Sequence, residues 1–280
     1  MGGKHSTAVK TRTQYNETHW FEFADLIDHV ILLKKVIARP QLTKTGPELA
    51  SAIASYCYRM ARGDMLSSKY QQSLPIEIDW IWHVHRLHPV VYYKDCRKQL
   101  GQIVDKQCYN LTEDAISDIS ITSVSSPQFT PSIDLTKAVL RQKKFLDKFS
   151  KHALFLHGTV TKKDFEHLIQ NYVSFLKLAR EKKLIIPTFD IDIMWRTHKR
   201  WPQKYQQATM ALCGHLLDHD AVIEDGVLTQ VYATTNEKWK KACNSKYGEN
   251  VDKKYLSKAT YSLIFAGGND GGDTSGGCDG

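Results

Sequence analysis

The chain has 280 residues, 42% of them hydrophobic, with a formal net charge of +8 and a pI near 9.0. That is apolar material for one large core or two ordinary ones, and no apolar run reaches the length of a membrane span. Six scattered cysteines (Cys57, Cys96, Cys108, Cys213, Cys243, Cys278) form no C-x-x-C pair and follow no signal-peptide core, which points to reduced thiols and leaves the sequons at Asn16 and Asn110 idle.

The amino terminus, Met1-Gly2-Gly3-Lys4-His5-Ser6, fits an N-myristoylation signal, with Gly2 as the acceptor and Ser6 at the required position. The polar segment up to Thr18, with Lys4, Lys10 and Arg12, reads as the flexible basic arm that one acyl chain needs as its second membrane signal. From Trp20 to Arg39 the apolar residues Phe23, Ile27, Val30, Leu33 and Ile37 recur at helical period, and Pro40 closes the element. Thr45-Gly46-Pro47-Glu48 reads as a capping box for a second helix through Ala61, with Gly63 past its end. After Pro75 comes a motif helix that breaks at His88-Pro89, and Pro89 opens another through Leu100.

Residues 109–132 are rich in Ser, Thr, Asp and Pro and read as a linker. A helix from Asp134 to Lys151 follows. Thr161-x-x-Asp164 caps a long helix whose stripe includes Phe165, Leu168, Ile169, Tyr172, Leu176 and Ala179. Pro187 precedes a second motif helix, Pro202 opens a helix to about Leu217, and a last helix spans Gly226 to Tyr247. The lysines and arginines (Lys34, Lys35, Arg39; Lys137, Arg141, Lys143, Lys144) lie on amphipathic stretches where a solvated face accounts for them, so the charge argues only weakly for nucleic acid. Tyr56, Tyr58, Tyr92 and Tyr93 read as core aromatics.

A repeat organises these elements. Asp79, Trp82, His85, Pro89 and Tyr92 recur in register 113 residues later as Asp192, Trp195, His198, Pro202 and Tyr205. The expected fold is mostly α: two tandem related helical units, each a helical hairpin packed on a motif helix, with minor β at most (Ser73–Ile76, Ile185–Thr188) and a disordered Gly-rich tail. The expected division is a flexible basic leader 1–18, unit one 19–108, linker 109–132, unit two 133–250 and tail 251–280.

Residues kept in both copies should build the unit, whereas His83, Asp95 and Cys96 face Arg196, Ala208 and Thr209 and are free to be special. His83 and Asp95 are therefore expected to be dispensable for folding but needed for whatever the first copy binds. On each motif helix the Asp, Trp and His share an arc that fits a core face. The same residues also fit a metal or acid/base site: Asp79 and His83 are an i, i+4 pair with His88 close by, zinc being the metal in question. Catalytic candidates are His83, His85, Asp95 and Cys96, with Cys96 as a nucleophile and a histidine as its base. His215 and His219, with Asp218 or Asp220, either hold a metal or close a helix.

The string D-x-x-W-H-x-H-x-x-x-P-x-x-Y-x-x-D-C, here Asp79, Trp82, His83, His85, Pro89, Tyr92, Asp95 and Cys96, resembles the signature of the glycine-rich domain-containing protein family. The second half resembles it too, through Asp134-Leu135, Ala138-Val139, Arg141-Gln142, Pro187-Thr188, Asp190-Ile191-Asp192, Trp195, His198, Pro202, Tyr205, Leu217-Asp218-His219-Asp220, Thr234-Thr235 and Trp239. Arg196 departs from the His expected after Trp195, and no RNA-recognition motif follows the short Gly-rich tail. The resemblance implies a fold of unknown function and names no reaction. The favoured expectation is a non-enzymatic cytoplasmic interaction or scaffold protein with unidentified protein partners, tethered to an anionic membrane surface through Gly2. A metal-dependent or acid/base enzyme and a nucleic-acid binder are the alternatives.

Overall fold

The computed structural model describes residues 8–12, 18–107, 128–156, 159–181, 184–218, 225–243, 247 and 261–262. Gly2, His219, Asp220 and most of the expected linker and tail lie outside them. The first element is a hairpin in which β1 (Ala8–Arg12) pairs antiparallel with β2 (Thr18–Glu22). Part of the expected flexible leader is thus in a ladder, and Trp20–Glu22 is strand where helix was expected. Val9, Thr11, Thr18, Trp20 and Phe21 are β-branched or aromatic, and such residues suit a strand.

α1 (Phe23–Ile37) starts at a capping box made by Glu22 and Asp25, and a 3₁₀ turn at Pro40–Thr43 leads to α2 (Pro47–Arg62). The box expected at Thr45–Glu48 does not form. Gly46 is the cap without a side-chain bond, and Pro47 at the first helical position needs no acceptor for an N–H it lacks. α3 (Ser68–Gln72), α4 (Ile76–Arg86) and α5 (Pro89–Leu100) complete the first half.

In the second half the expected 134–151 helix is two pieces, α6 (Leu135–Arg141) and α7 (Lys143–Phe149), followed by α8 (Ala153–Leu156). The break falls at Gln142, whose side-chain amide donates to the Ala138 carbonyl at 3.0 Å and so competes with the helix's own ladder. β3 (Thr159–Val160) pairs with β4 (Tyr261–Ser262), so the strands lie elsewhere than Ser73–Ile76 and Ile185–Thr188. α9 (Lys162–Leu178) opens on the expected Thr161–Asp164 box, and α10 (Phe189–Lys199), α11 (Pro202–Cys213) and α12 (Asp225–Cys243) follow. α5 and α11 end at Gly101 and Gly214 with φ of 74° and 79°, where any Cβ would be strained although the space is open.

The fold is mostly helical, and its apolar residues form one contiguous cluster running from Leu26 to Tyr247. α4 packs on α2, and α10 packs in the same way on α9. The first helix of each half also crosses over, α1 reaching α10 and α6 reaching α4.

Candidate functional site

α4 starts at Pro75 and α10 at Thr188, which caps the Ile191 amide; each helix ends shortly before a proline that opens the next. That bend brings the Tyr of the second helix back under the Trp of the first. Trp82 Nε1 donates to the Tyr92 hydroxyl at 2.9 Å, and Tyr92 donates to the Val104 carbonyl at 2.6 Å. In the other copy Trp195 Nε1 donates to Tyr205 at 2.8 Å, and Tyr205 donates to the Leu217 carbonyl at 2.6 Å. Trp82 and Trp195 are 2% and 4% exposed, and the two tyrosine hydroxyls are each held by burial far above their ordinary pKa.

Each histidine lies edge-to-face on that tyrosine, His85 on Tyr92 at 5.0 Å and His198 on Tyr205 at 5.3 Å. Each also meets a second tyrosine from the preceding long helix: Tyr56 at 2.8 Å from His85 Nδ1, Tyr172 at 3.0 Å from His198 Nδ1. These two tyrosines are structural partners of the motif that its spacing hides, since they are 116 residues apart while the motif residues are 113 apart.

Asp95 is special to the first copy, and it serves the fold. Its carboxylate takes His85 Nε2 at 3.2 Å, the Ser132 amide at 2.7 Å and the Ser132 hydroxyl. Although burial opposes it, hydrogen bonds from His85 and Ser132 hold the carboxyl below its usual range. Phe129 packs on Tyr56 and His85 beside it, so the chain returning from the linker is fastened to the first copy. The expectation that Asp95 is dispensable is corrected on that ground. His85, fully buried, is kept neutral mainly by desolvation. With Nε2–H directed at Asp95, its Nδ1 accepts from Tyr56.

The metal candidates are not brought together. Asp79 takes Arg86 at 3.4 Å and Arg200 at 3.3 Å. His83 is enclosed, with its ring 4.8 Å from His29 and 5.8 Å from Trp80, and desolvation holds both histidines well below the ordinary value. His83 thus fills an enclosed place against a second histidine, which argues against its expected dispensability for folding. His88 sits at the turn before Pro89. Among the described residues no group of three or more His, Cys, Asp or Glu is placed to hold a metal ion. Cys96 is 0% exposed and burial pushes its thiol up to about 11, which disfavours the thiolate that a nucleophile uses. His215 Nδ1–H donates to the Cys213 carbonyl, 3.2 Å away. Tyr58, read as core, is 53% exposed and stacks with Arg62.

Between the copies lies a buried cationic seam. Arg86 stacks on Trp82 at 3.7 Å and Lys199 on Trp195 at 4.1 Å. Arg86 donates to the Arg200 carbonyl at 2.6 Å, and Lys199 to the Leu87 carbonyl at 3.4 Å. These are one contact and its exchange, since Lys199 and Arg200 stand 113 residues after Arg86 and Leu87. The two halves therefore meet as the subunits of a two-fold dimer do.

The family profile described as glycine-rich domain-containing protein-like matches residues 93–208, which include the second motif and the Lys199–Arg200 side of this seam. Glycine-rich domain-containing protein 1 of Arabidopsis thaliana is 29% identical over 261 residues, covering 78% of this chain and 31% of that protein. Glycine-rich domain-containing protein 2 of the same plant is 28% identical over 259 residues, covering 78% and 32%. The chain is thus similar to the glycine-rich domain-containing protein family, through the profile over residues 93–208 and through these two relatives. It spans about a third of the length of these two curated relatives. No solved structure matches it. In this chain Trp82, His85 and Tyr92, and Trp195, His198 and Tyr205, are the motif residues that build the circuits described above.

Proposed function

We propose that this protein is a non-enzymatic interaction or scaffold module, built from two repeat units (residues 19–108 and 133–250), which works at the cytosolic face of a membrane through an acyl chain on Gly2. One observation carries the reading: the side chains His83, His85, Asp95 and Cys96, where chemistry was expected, are each at most 1% exposed, and His85 and Asp95 engage each other. What such a chain offers a partner is shape and surface charge. Among the described residues no helix is long and apolar enough to cross a membrane, so attachment would rest on the lipid and the basic arm. A single myristoyl chain binds with only about 10⁴ M⁻¹ and needs that second signal. The test is intact mass of protein made in eukaryotic cells, with fractionation of the wild type and of Gly2→Ala. The acyl mass and a shift of Gly2→Ala to the soluble fraction are expected; an unmodified Gly2 overturns the membrane part.

A further inference from the structure

The internal two-fold gives the seam two equivalent ends, and they differ in charge. At one end Asp28 binds Arg200 at 3.0 Å and also Lys106, while Arg200 reaches Asp79 at 3.3 Å. The register of 113 carries Asp28 onto Arg141, Arg200 onto Leu87 and Asp79 onto Asp192. The carboxylate that closes the first end is therefore a cation at the second.

The second end is open: a cavity of about 260 Å³, lined by Arg141, Lys144, Lys148 and Arg196, with Phe145 and Phe189 as apolar walls. Asp192 is the one carboxylate in the lining and is taken by Arg196 Nε at 2.9 Å. Arg196 is only 8% exposed and is held in place by Gln142 at 2.7 Å and by the Phe145 ring at 4.0 Å. Arg141, Lys144 and Lys148 share one face of the α6–α7 stretch and make no ion pair among the described residues. Four cations thus face one carboxylate that is already paired.

We infer that this cavity binds a small phosphate-bearing molecule, whose phosphoryl group supplies the open end with the anion that the Asp28 carboxylate supplies at the closed one. A phosphoryl group carries about −1.5 to −2 charges and three acceptor oxygens, which matches several unpaired cations better than a single carboxylate does. The cavity holds roughly nine water volumes, room for a phosphoryl group and a short carbon body against Phe145 and Phe189. The site stands independently of acylation at Gly2.

The probe is sodium pyrophosphate, titrated calorimetrically into the full chain at ionic strength fixed with sodium chloride, beside Arg141→Asp/Lys144→Gln. Saturable binding that raises the melting temperature is expected, with affinity at least about tenfold weaker in the double variant, since each charge-assisted bond is worth more than that factor. Both substituted positions are exposed, so the unliganded melting temperature of the variant should match the wild type and report an intact fold. Vesicles of phosphatidylcholine containing a phosphoinositide distinguish the sources: competition with pyrophosphate assigns a lipid headgroup, and lack of competition assigns a soluble phosphate ester. Absence of saturable pyrophosphate binding, or equal binding by the double variant, overturns the inference.

Discussion

The two copies build the same Trp–Tyr–carbonyl circuit, with Trp–Tyr hydrogen bonds of 2.9 and 2.8 Å, yet the surroundings of that circuit differ in kind. In the first copy the position after Trp82 is a neutral, enclosed His83 packed on His29. In the second it is Arg196, held by Asp192, Gln142 and Phe145 at the edge of a cavity. The difference shows that the circuit fixes the bend between motif helix and following helix, and that the adjoining position is adjustable as long as its own neighbours change with it. His29 and Gln142, the partners of the two divergent residues, are themselves 113 residues apart.

The sharpest way to break the equivalence is to empty it. Trp82→Ala and Trp195→Ala should each cost about 3 to 5 kcal/mol in a urea titration, because each leaves a cavity under a buried tyrosine. Losses that differ by more than about 2 kcal/mol would show that one circuit matters to the fold and the other does not. Next in size is His83→Arg, which imports the residue of the second copy. There Arg196 has Asp192 and Gln142, whereas at position 83 the new cation would join Arg86 and Arg200 with no added acceptor. A loss of about 3 kcal/mol or more is expected from an uncompensated buried charge; a transition unchanged in the same titration would mean the seam tolerates a third guanidinium. Tyr92→Phe and Tyr205→Phe are milder. Each leaves a Trp N–H and a backbone carbonyl without a partner, for about 1 to 3 kcal/mol by the same measurement.

The paired Asp, Trp, His, Pro and Tyr were legible in the sequence because a covalent register survives folding unchanged. So were the Thr161 box and the Gly63 stop, which depend on residues within one turn. What was hidden is whatever joins the copies. Tyr56 and Tyr172 escape the register by three residues, and Arg86, Lys199 and Arg200 look like ordinary charges at helix ends until α4 and α10 are placed side by side. The charge reversal from Asp28 to Arg141 was equally invisible, since both lie on amphipathic stretches where a solvated face explains them. Glu22 is hard to recognise as a cap because it lies in an aromatic strand-like stretch, and the Thr45 box does not form because the helix starts one residue later, with Gly46 as the cap.

The seam also sets a pH dependence. Desolvation first, and then Arg196, lowers Lys199 to about 7, against the influence of Asp192 and Asp218. Between about 7 and its ordinary value of 10.5 the unfolded chain holds a proton there that the folded chain has released, so stability from this group rises with pH across that window. Lys199→Met should flatten the rise in melting temperature from pH 7 to 10. The buried His29 and His83, lowered by desolvation, act in the same direction below 6.5, where only the unfolded chain takes up their protons. Asp25 and Asp105, raised by burial to about 6, oppose them between 3.8 and 6. In the alkaline window the lowered Lys106 acts in the same sense as Lys199, while Cys57, Cys96 and Cys213, raised by burial, oppose it from about 9 upward; the difference in slope between wild type and variant isolates Lys199, and equal slopes would rule it out as a source.

The smallest effect expected is the most discriminating for the two ends of the seam. Arg141→Asp places at the open end the residue type that Asp28 supplies at the closed one. The side chain is exposed and unpaired among the described residues, so in the absence of ligand the change should lie within about 0.5 kcal/mol of wild type by urea titration. Its sign is informative. A small gain is expected, because Lys144, Lys148 and Arg196 would then face a carboxylate where they now face another cation. The gain should shrink with added salt, since exposed charges a few ångströms apart are screened at ionic strengths above about 0.1 M. The reverse exchange, Asp28→Arg, would leave Lys106 and Arg200 facing a like charge and should be destabilising. A loss on Arg141→Asp comparable to that of Asp28→Arg would mean that the two ends are not charge-reversed versions of one site, and that Arg141 is part of the fold.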